Sequence, residues 1–151
     1  MPINIDYQTA YERSLRDPEG FWAEAAGEIS WYRRWDRVLD ASRAPFVRWF
    51  PGGELNTCYN AVDRHVERGR GKQRALIYDS AVTGTVRTFT YLELRDHVAQ
   101  LAGALRSLGL KKGDRVIIYM PGVPEAIFAM LANTGADRRA TIPVPRRALC
   151  S

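Results

Sequence analysis

Three observations between residues 75 and 131 predict an α/β fold. Short runs at 75–78 and 86–90 are rich in the β-branched and aromatic residues that favour strands. Apolar residues recur at helical spacing after each of two later helix-start signals. A continuous apolar run at 115–120 separates these two helical stretches. Strand, helix, strand and helix in this order are typical of an α/β domain with a parallel sheet.

Two helices are predicted at the beginning of the chain. The first is indicated by Tyr7, Ala10, Tyr11, Ser14 and Leu15, which follow helical spacing. The second begins where Asp17 can cap the helix, Pro18 occupies its first position and Glu19 supplies a first-turn acid. It continues through Phe21, Trp22, Ala25 and Ala26.

Large aromatic side chains then follow in a stretch without clean periodicity: Trp31, Tyr32, Trp35, Phe46, Trp49 and Phe50. Rings of this size need an apolar surface to cover. Two interpretations stay open. The rings can anchor the segment on a larger domain, or they can form a small aromatic core of their own.

Local sequence signals also predict a helix and a hairpin in the middle of the chain. Asn60 is predicted to cap a short helix that ends at Gly69. The runs at 75–78 and 86–90 are predicted to form a hairpin with a turn at 82–85.

A capping box predicts the start of the next helix. Thr90 can accept a hydrogen bond from the amide of residue 93, and Glu93 can reach back. The helix is predicted to end at Gly109. Its apolar stripe consists of Leu94, Val98, Leu101, Ala102, Leu105 and Leu108.

The 115–120 run, RVIIYM, is predicted to be a strand buried on both faces. Pro124 and Glu125 then begin a helix, which is predicted to carry apolar residues at Ile127, Met130 and Leu131. A strand that carries Ile117 and Ile118 needs a neighbouring strand and a covering helix, so an open sheet edge is predicted for this chain, with aggregation or a molten state as the result.

Residues 133–151 follow neither period, and Pro143 and Pro145 exclude a central strand. The segment is predicted to be a disordered tail. The abrupt change of pattern suggests a frameshift, an alternative exon or a truncated gene model. A natural tail on a short relative is the other interpretation.

Composition favours a globular protein with ordinary hydrophobic (46%) and charged (26%) fractions. No apolar run reaches the roughly 20 residues of a membrane span, and no secretory signal is apparent. The cytoplasm is therefore expected. Much of the net charge of +5 comes from four arginines in residues 133–151, and elsewhere acids and bases alternate. A basic stripe for nucleic acid is not predicted.

The two cysteines, Cys58 and Cys150, are predicted to be reduced thiols. With only the isolated His65 and His97 beside them, no zinc ligand set is predicted. Cys58 and His65 could be imagined as a nucleophile and its base, but no third orienting group is apparent. Asp63, Arg64 and His65 are instead expected to fasten the amino-terminal segment to the domain.

Three further stretches could bind an anion or nucleotide, and each has a simpler interpretation. Residues 82–86 have one glycine and lie between strands, which favours a hairpin turn over a phosphate cradle. Residues 69–72 (GRGK) could form an anion nest, but a helix end and solvated loop is favoured. Residues 120–124 lie at a strand-to-helix crossing where α/β proteins bind ligands. A rigid connector is the favoured interpretation there.

Two motifs carry a resemblance to a known family. WFPGGELNTCYNAVDRH at residues 49–65 and YDSAVTGT at 78–85 are similar to the amino-terminal region of the AMP-forming short-chain acyl-CoA synthetases. These are the acetyl-CoA and propionyl-CoA synthetases, and the second motif favours the propionyl type. The resemblance extends from about Tyr11 to Ala132. Ala81 and Gly122 stand where proline and methionine are expected, which affects local rigidity only.

The resemblance implies an activity for the whole family. A short-chain carboxylic acid is joined to AMP from ATP, with release of pyrophosphate, and the acyl group then passes to CoA. Mg²⁺ assists the first step. The family uses a Ser/Thr/Gly-rich loop ending in lysine and a late catalytic lysine. Neither motif matches this sequence, so no catalytic, cofactor-binding or metal-binding residue is predicted, and no cofactor is assigned to the chain itself.

The resemblance also implies three parts. Residues 1–66 are an acetyl-CoA synthetase-type amino-terminal extension, 67–132 are the start of an adenylate-forming (AMP-binding) domain, which is incomplete, and 133–151 are the non-family tail. The expected function is that of an amino-terminal fragment of a propionate or acetate CoA ligase, inactive by itself. The alternative is a non-enzymatic interaction module that pairs with a full-length synthetase through an open sheet edge.

Overall fold

The structure, a computed structural model, describes residues 6–135. The chain divides into two compact units. The described residues of unit 1 are 6–54, and those of unit 2 are 55–135. The mixture of helices and strands confirms the predicted fold class. The segment predicted to be a disordered tail lies outside the described residues from 136 onward.

Unit 1 contains two helices and a short strand pair. Helix α1 is Tyr7–Arg16 and helix α2 is Pro18–Gly27. Asp17 caps α2 as predicted, because its Oδ1 accepts from the amide of Gly20 at 3.0 Å. Strands β1 (Leu39–Asp40) and β2 (Arg48–Trp49) pair in antiparallel register.

The core of unit 2 lies between a hairpin and two helices. Strands β3 (Arg74–Ser80) and β4 (Thr85–Thr90) are antiparallel, with Ser80 opposite Thr85 at the turn, and this confirms the predicted hairpin. Helices α3 (Tyr91–Ser107) and α4 (Pro124–Gly135) pack together and complete the unit. The buried cluster is Cys58, Val62, Phe89, Leu94, Val98, Phe128 and Ala132.

Local capping signals correctly place both ends of α3. Thr90 and Glu93 form the full capping box, with the Thr90 amide donating to Glu93 Oε2 at 2.8 Å. At the other end Gly109 has φ +91°. The amides of Gly109 and Leu110 return to the carbonyls of Arg106 and Leu105, which is a Schellman ending.

At three positions the sequence pattern predicts a residue that faces the core, and the structure shows an exposed side chain instead. Leu108 is the last residue before Gly109 and is exposed, because the α3 stripe stops at Leu105. On α4, Ile127 and Met130 face outward, whereas Phe128, Leu131 and Ala132 contact the core. Helix α4 also continues to Gly135, so residues 133–135, which were predicted to begin the disordered tail, are helical.

The helix predicted at Asn60 begins earlier. Residues 57–70 form one helical stretch, with π-helical hydrogen bonding at Tyr59–Asp63 and Val66–Arg70. We call this stretch the 57–70 helix. Its helical dihedral angles end at Gly69, which has φ +79°, as the sequence predicts.

The 115–120 run is not the doubly buried strand that the sequence predicts. No described strand pairs with it, and the two sheets of the described chain are antiparallel pairs. Ile117 is 92% exposed and Tyr119 is 99% exposed. The physical reason is non-local: a central strand forms only where two neighbouring strands and covering helices supply its partners.

Candidate functional site

The first motif, WFPGG, makes a tight turn in unit 1 that glycine alone permits. Gly52 has φ +81°, and an added Cβ there would lie 2.2 Å from Asp36 Oδ2. A Cβ on Gly53 would lie 2.6 Å from the Trp31 ring. The turn is closed by hydrogen bonds from the Asp36 amide to the Pro51 carbonyl (2.9 Å) and from Gly53 to Phe50 (3.1 Å). The two glycines therefore serve packing around Trp31 and Asp36.

The second half of the motif places a buried asparagine at the start of the 57–70 helix. Asn56 is 5% exposed, and its Oδ1 accepts from the Tyr59 amide at 2.8 Å. This is the N-cap geometry that the sequence analysis assigned to Asn60, so that prediction is wrong by one helical turn. Asn60 lies inside the helix, where its Nδ2 donates to the Asn56 carbonyl at 3.0 Å.

Asn56 also reaches the far end of unit 2. Its Nδ2 donates to the Thr134 carbonyl on the last turn of α4, at 3.5 Å. From Asn60 the hydrogen bonds continue to Arg64, whose Nη1 donates to Asn60 Oδ1 at 3.0 Å. We call Asn56, Asn60, Arg64 and the Thr134 carbonyl the asparagine network. It fixes the start of one helix against the end of another, which is a structural role.

The structure argues against Cys58 and His65 as a catalytic pair. Cys58 is buried in the core, and burial, followed by the nearby Asp63 charge, raises the pKa of its thiol to about 11. A thiol with this pKa stays protonated near neutral pH, so it is a poor nucleophile. No hydrogen bond joins Cys58 to His65 within the described residues.

His65 has other partners. Its ring lies 4.8 Å from that of Tyr91, centre to centre, and its Nδ1 is 3.1 Å from Arg70 Nη1. Because guanidinium groups only donate, Nδ1 is the acceptor of this bond. Partial burial, followed by the neighbouring arginines, lowers the pKa of the ring. The lowered pKa favours the neutral ring, and His65 serves as a packing and accepting group within the 57–70 helix.

Asp63 and Arg64 make their described contacts inside unit 2. Burial raises the pKa of Asp63, with the charge of Glu67 acting in the same direction. Arg64 Nη1 donates to Asn60 Oδ1 on the same helix. The expected fastening of the amino-terminal segment by these residues stays a prediction.

The two loops considered as anion sites have ordinary geometry. The turn at 81–84 exposes Val82 almost completely, and Gly84 has φ +62°, as a hairpin turn requires. In the 69–72 stretch, Arg70 is already engaged. Its Nε donates to Gln73 Oε1 at 2.6 Å and its guanidinium lies 5.6 Å from the centre of the Tyr91 ring.

Residues 120–124 form a tight connection into α4. The Val123 amide donates to the Pro121 carbonyl at 2.8 Å, and Pro124 is buried. Arg87 on β4 lies 3.4 Å from Glu125 in the first turn of α4. A Cβ added to Gly122 would meet no heavy atom within 4 Å, so nothing in the described structure requires glycine there. This geometry suits a connector, and binding of a nucleotide there stays a prediction.

No metal centre is assembled in the part of the chain that the structure describes. None of its His, Cys, Asp and Glu side chains form a group of three placed to hold a metal ion. Nor does any helix between residues 6 and 135 have the length and apolar character needed to cross a bilayer.

Sequence reasoning missed the two features that organise the site. The Asn56 cap had a local signal, because Asn56 lies three residues before Tyr59, whose amide it caps. The contact between Gly53 and Trp31, and the bond from Asn56 to Thr134, join residues far apart in sequence and leave no local signal.

Comparison with family models gives two matches that together cover most of the chain. The acetyl-coenzyme A synthetase N-terminus matches residues 7–61, and the AMP-binding enzyme model matches residues 62–142, more than half of the chain. The border between the two matches falls inside the 57–70 helix, and the second match extends beyond Ala132.

Several similar proteins are named as acyl-CoA synthetases. Human acyl-CoA synthetase short-chain family member 3, mitochondrial, is 53% identical over 127 residues, which are 84% of this chain and 18% of the relative. Acetyl-coenzyme A synthetase from Deinococcus radiodurans is 49% identical over 84% of this chain and 19% of its own length. The chain thus spans about a fifth of these curated relatives.

A solved structure is similar over nearly the whole chain. Acetoacetyl-CoA synthetase from Streptomyces lividans has a TM-score of 0.73 and 32% identity, covering 89% of this chain and 21% of that one.

Proposed function

We propose a function from one premise: this chain belongs to the AMP-binding enzyme family and carries the amino-terminal segment of the acetyl-coenzyme A synthetases. Its 151 residues are the amino-terminal part of an ATP-dependent short-chain acyl-CoA ligase. The observation that carries this proposal is the pair of adjoining family matches, supported by 49% to 53% identity to named synthetases.

The proposed reaction has two steps. A carboxylate oxygen of acetate or propionate attacks the α-phosphorus of ATP, pyrophosphate leaves, and an acyl-adenylate forms. The CoA thiolate then attacks the acyl carbon, and AMP leaves. Charge develops on phosphate oxygens in the first step, so cations and aimed amides must surround them.

The residues described here do not supply those groups. Cys58 is a protonated core thiol, His65 accepts from Arg70, and Arg70 is engaged by Gln73 and Tyr91. Since the sequence also matches neither the Ser/Thr/Gly-rich loop ending in lysine nor the late catalytic lysine of the family, we expect the chain by itself to form no acyl-adenylate and to bind ATP and CoA weakly at most.

Pyrophosphate release tests this proposal directly. The purified chain is incubated with ATP, Mg²⁺ and either acetate or propionate, with an acid-free reaction as the control and a full-length synthetase as the positive control. The chain should release pyrophosphate no faster with acid than without it. Acid-dependent release that persists through a second purification step would overturn the proposal.

Ligand binding gives a second readout. A ligand that binds only the folded state raises its stability by RT ln(1 + [L]/Kd). Millimolar ATP with Mg²⁺, or CoA, should leave the melting temperature unchanged. The cytoplasm is the proposed location, to be checked by fractionation of cells that express the tagged chain.

An interaction module is the second candidate function. The observation that favours it is the exposed 115–120 run, which has no ladder partner among the described strands. Strand addition to a full-length synthetase would use this run. Co-purification of the two proteins, lost when Ile117 is replaced by lysine, would support this candidate.

A further inference from the structure

A cluster of four side chains joins the end of the 57–70 helix to the start of α3. His65 Nδ1 accepts from Arg70 Nη1 at 3.1 Å, and the rings of His65 and Tyr91 lie 4.8 Å apart, centre to centre. The Arg70 guanidinium lies 5.6 Å from the centre of the Tyr91 ring, and its Nε donates to Gln73 Oε1 at 2.6 Å. We call His65, Arg70, Gln73 and Tyr91 the His65 cluster.

Backbone hydrogen bonds connect the same two elements. The Gln73 amide donates to the Arg70 carbonyl at 2.9 Å. The amides of Tyr91 and Leu92, in the first turn of α3, donate to the carbonyls of Gln73 and Gly71 at 3.0 Å. First-turn amides have no acceptor inside their own helix, so the loop at 71–73 supplies it. The His65 cluster and these backbone bonds therefore hold this loop against α3 together.

The bond from Arg70 requires a neutral His65 ring. Because a guanidinium only donates, Nδ1 must keep its lone pair, and the proton of the neutral ring then lies on Nε2. A second proton can bind only at Nδ1, which becomes a donor. Protonation therefore removes the acceptor and places two cations next to each other.

The charges around the ring oppose its protonation. Partial burial, followed by the charges of Arg70, Arg64 and Arg68 on the same helix, lowers the pKa of His65 from its ordinary value of 6.5. The facing group from α3 is the Tyr91 phenol ring. The unfolded chain thus binds this proton at higher pH than the folded chain. The contribution of the neutral ring to stability is fully present above pH 6.5 and is lost as pH falls through the lowered pKa.

The carboxylates nearest to His65 in sequence interact with other groups. Glu67 Oε2 accepts from the Tyr59 hydroxyl at 2.8 Å. Asp63 interacts with the charges of Glu67 and of Arg95 on α3. A protonated His65 would therefore face arginines.

We propose that the His65 cluster is a pH-sensitive device in which uptake of a proton by His65 releases Arg70 and loosens residues 71–73 from the start of α3. The cluster is closed at neutral pH and opens at mildly acidic pH, in the range in which histidine changes its charge.

Amide hydrogen exchange of the whole chain tests the release. Protection factors, which correct for the pH dependence of intrinsic exchange, are measured at Gln73, Tyr91 and Leu92 from about pH 7.5 to about pH 5.5. They should fall by about three- to tenfold, as expected for loss of one hydrogen bond. Protection factors that stay constant in the wild type would overturn the proposal.

Two matched variants separate the histidines. His65→Asn keeps an acceptor near the position of Nδ1 but does not titrate, so its protection factors should stay constant with pH. His97→Asn removes the exposed histidine that stacks on Phe128 and should keep the wild-type response. A response that persists in His65→Asn, or that disappears in His97→Asn, contradicts the assignment to His65.

Ring titration by NMR leaves the cluster intact. The chain has two histidines, so His97→Asn shows the Cε1 proton of His65 alone. Its midpoint should lie below 6.5, and Arg70→Gln, which removes a neighbouring charge, should raise it. At neutral pH the ring nitrogen shifts should show the proton on Nε2. A midpoint at or above 6.5, no change in Arg70→Gln, or a proton on Nδ1 would each refute the device.

Discussion

Units 1 and 2 use aromatic side chains in opposite ways. In unit 2, Phe89 and Phe128 are 5% and 6% exposed and meet edge to face at 5.3 Å, measured between ring centres. His97 stacks on Phe128 at 4.9 Å. Phe89 and Phe128 lie in a core together with Leu94 and Val98, whereas His97 is exposed.

In unit 1 the rings contact each other without being enclosed. Trp31, Trp35 and Phe50 are mutual neighbours at 5.0 to 5.6 Å. Yet Trp22 and Trp49 stay 45% and 37% exposed, and Ala26 is the buried apolar residue of the described part of this unit. The rings of unit 1 thus contact one another without forming a closed core, and both interpretations of the sequence stay open.

The comparison shows that contact between rings and burial of rings contribute separately to the stability of a folded unit. A pair of touching rings contributes about 0.5–1.5 kcal/mol beyond the area it buries. Removal of a large side chain from a closed core costs about 3–5 kcal/mol. Loss of a ring should therefore lower the free energy of unfolding strongly in unit 2 and weakly in unit 1.

Truncation of a core ring should give the largest effect. Phe128→Ala removes a side chain that contacts Phe89 and His97, and it should lower the free energy of unfolding by about 3–5 kcal/mol. Urea denaturation followed by circular dichroism measures this change. Phe46→Ala is the matched control in unit 1, because Phe46 is 82% exposed and should change stability by about 0.5 kcal/mol or less. Equal losses in the two variants would contradict the comparison.

Alkaline pH should weaken unit 2 through its buried thiol. The pKa of Cys58 is raised from 9.0 to about 11 in the folded chain. Between these two pKa values the thiol has lost its proton in the unfolded state but keeps it in the folded state. The free energy of unfolding therefore falls as pH rises through this interval, and the contribution of the thiol is fully present below it. The loss should reach about 2 kcal/mol.

Denaturation of wild type and Cys58→Ala between these two pH values measures the effect. Other groups titrate in the same range, so the difference between the proteins is the relevant quantity. The wild type should approach the variant as pH rises. A constant difference would show that Cys58 ionises as freely in the folded as in the unfolded state.

The smallest effect is expected in unit 1. The indole Nε1 of Trp31 donates to the Ala26 carbonyl at 2.8 Å, so Trp31→Phe should cost about 1 kcal/mol for the lost hydrogen bond. All four tryptophans lie in unit 1, and their fluorescence follows this region on denaturation. Trp22→Phe is the control, because the described structure gives the Trp22 indole no hydrogen bond. A larger loss in the control than in Trp31→Phe would show that ring packing outweighs the bond.

Features governed by neighbouring residues were predictable from the sequence. The Asp17 cap, the hairpin, the capping box at Thr90 and the ending at Gly109 all depend on backbone groups within a few positions of one another. The sequence also identified the family through its motif at residues 49–65, which includes the two glycines of the turn beside Trp31 and Asp36.

Features that depend on distant partners were not predictable. The 115–120 run has the composition of a central strand, but no described strand lies beside it. Asn56 and Asn60 offer the same capping chemistry, and their surroundings in the folded chain decide which one caps the helix. For the candidate site, burial of Cys58 and the engagement of His65 by Arg70 decide the chemistry, and neither is visible in a local pattern.

The bond from Asn56 to Thr134 joins residues 78 positions apart, and the core likewise extends from Cys58 to Ala132. Folding must close this loop before Asn56 gains its bond to α4, and such closure is slow compared with forming a hairpin or a helix. On the ribosome, the hairpin, α3 and the contact of His65 with Tyr91 can therefore form early, while Asn56 waits for α4 to emerge. Synthesis of α4 should be the step that joins Phe128 and Ala132 to the core of unit 2.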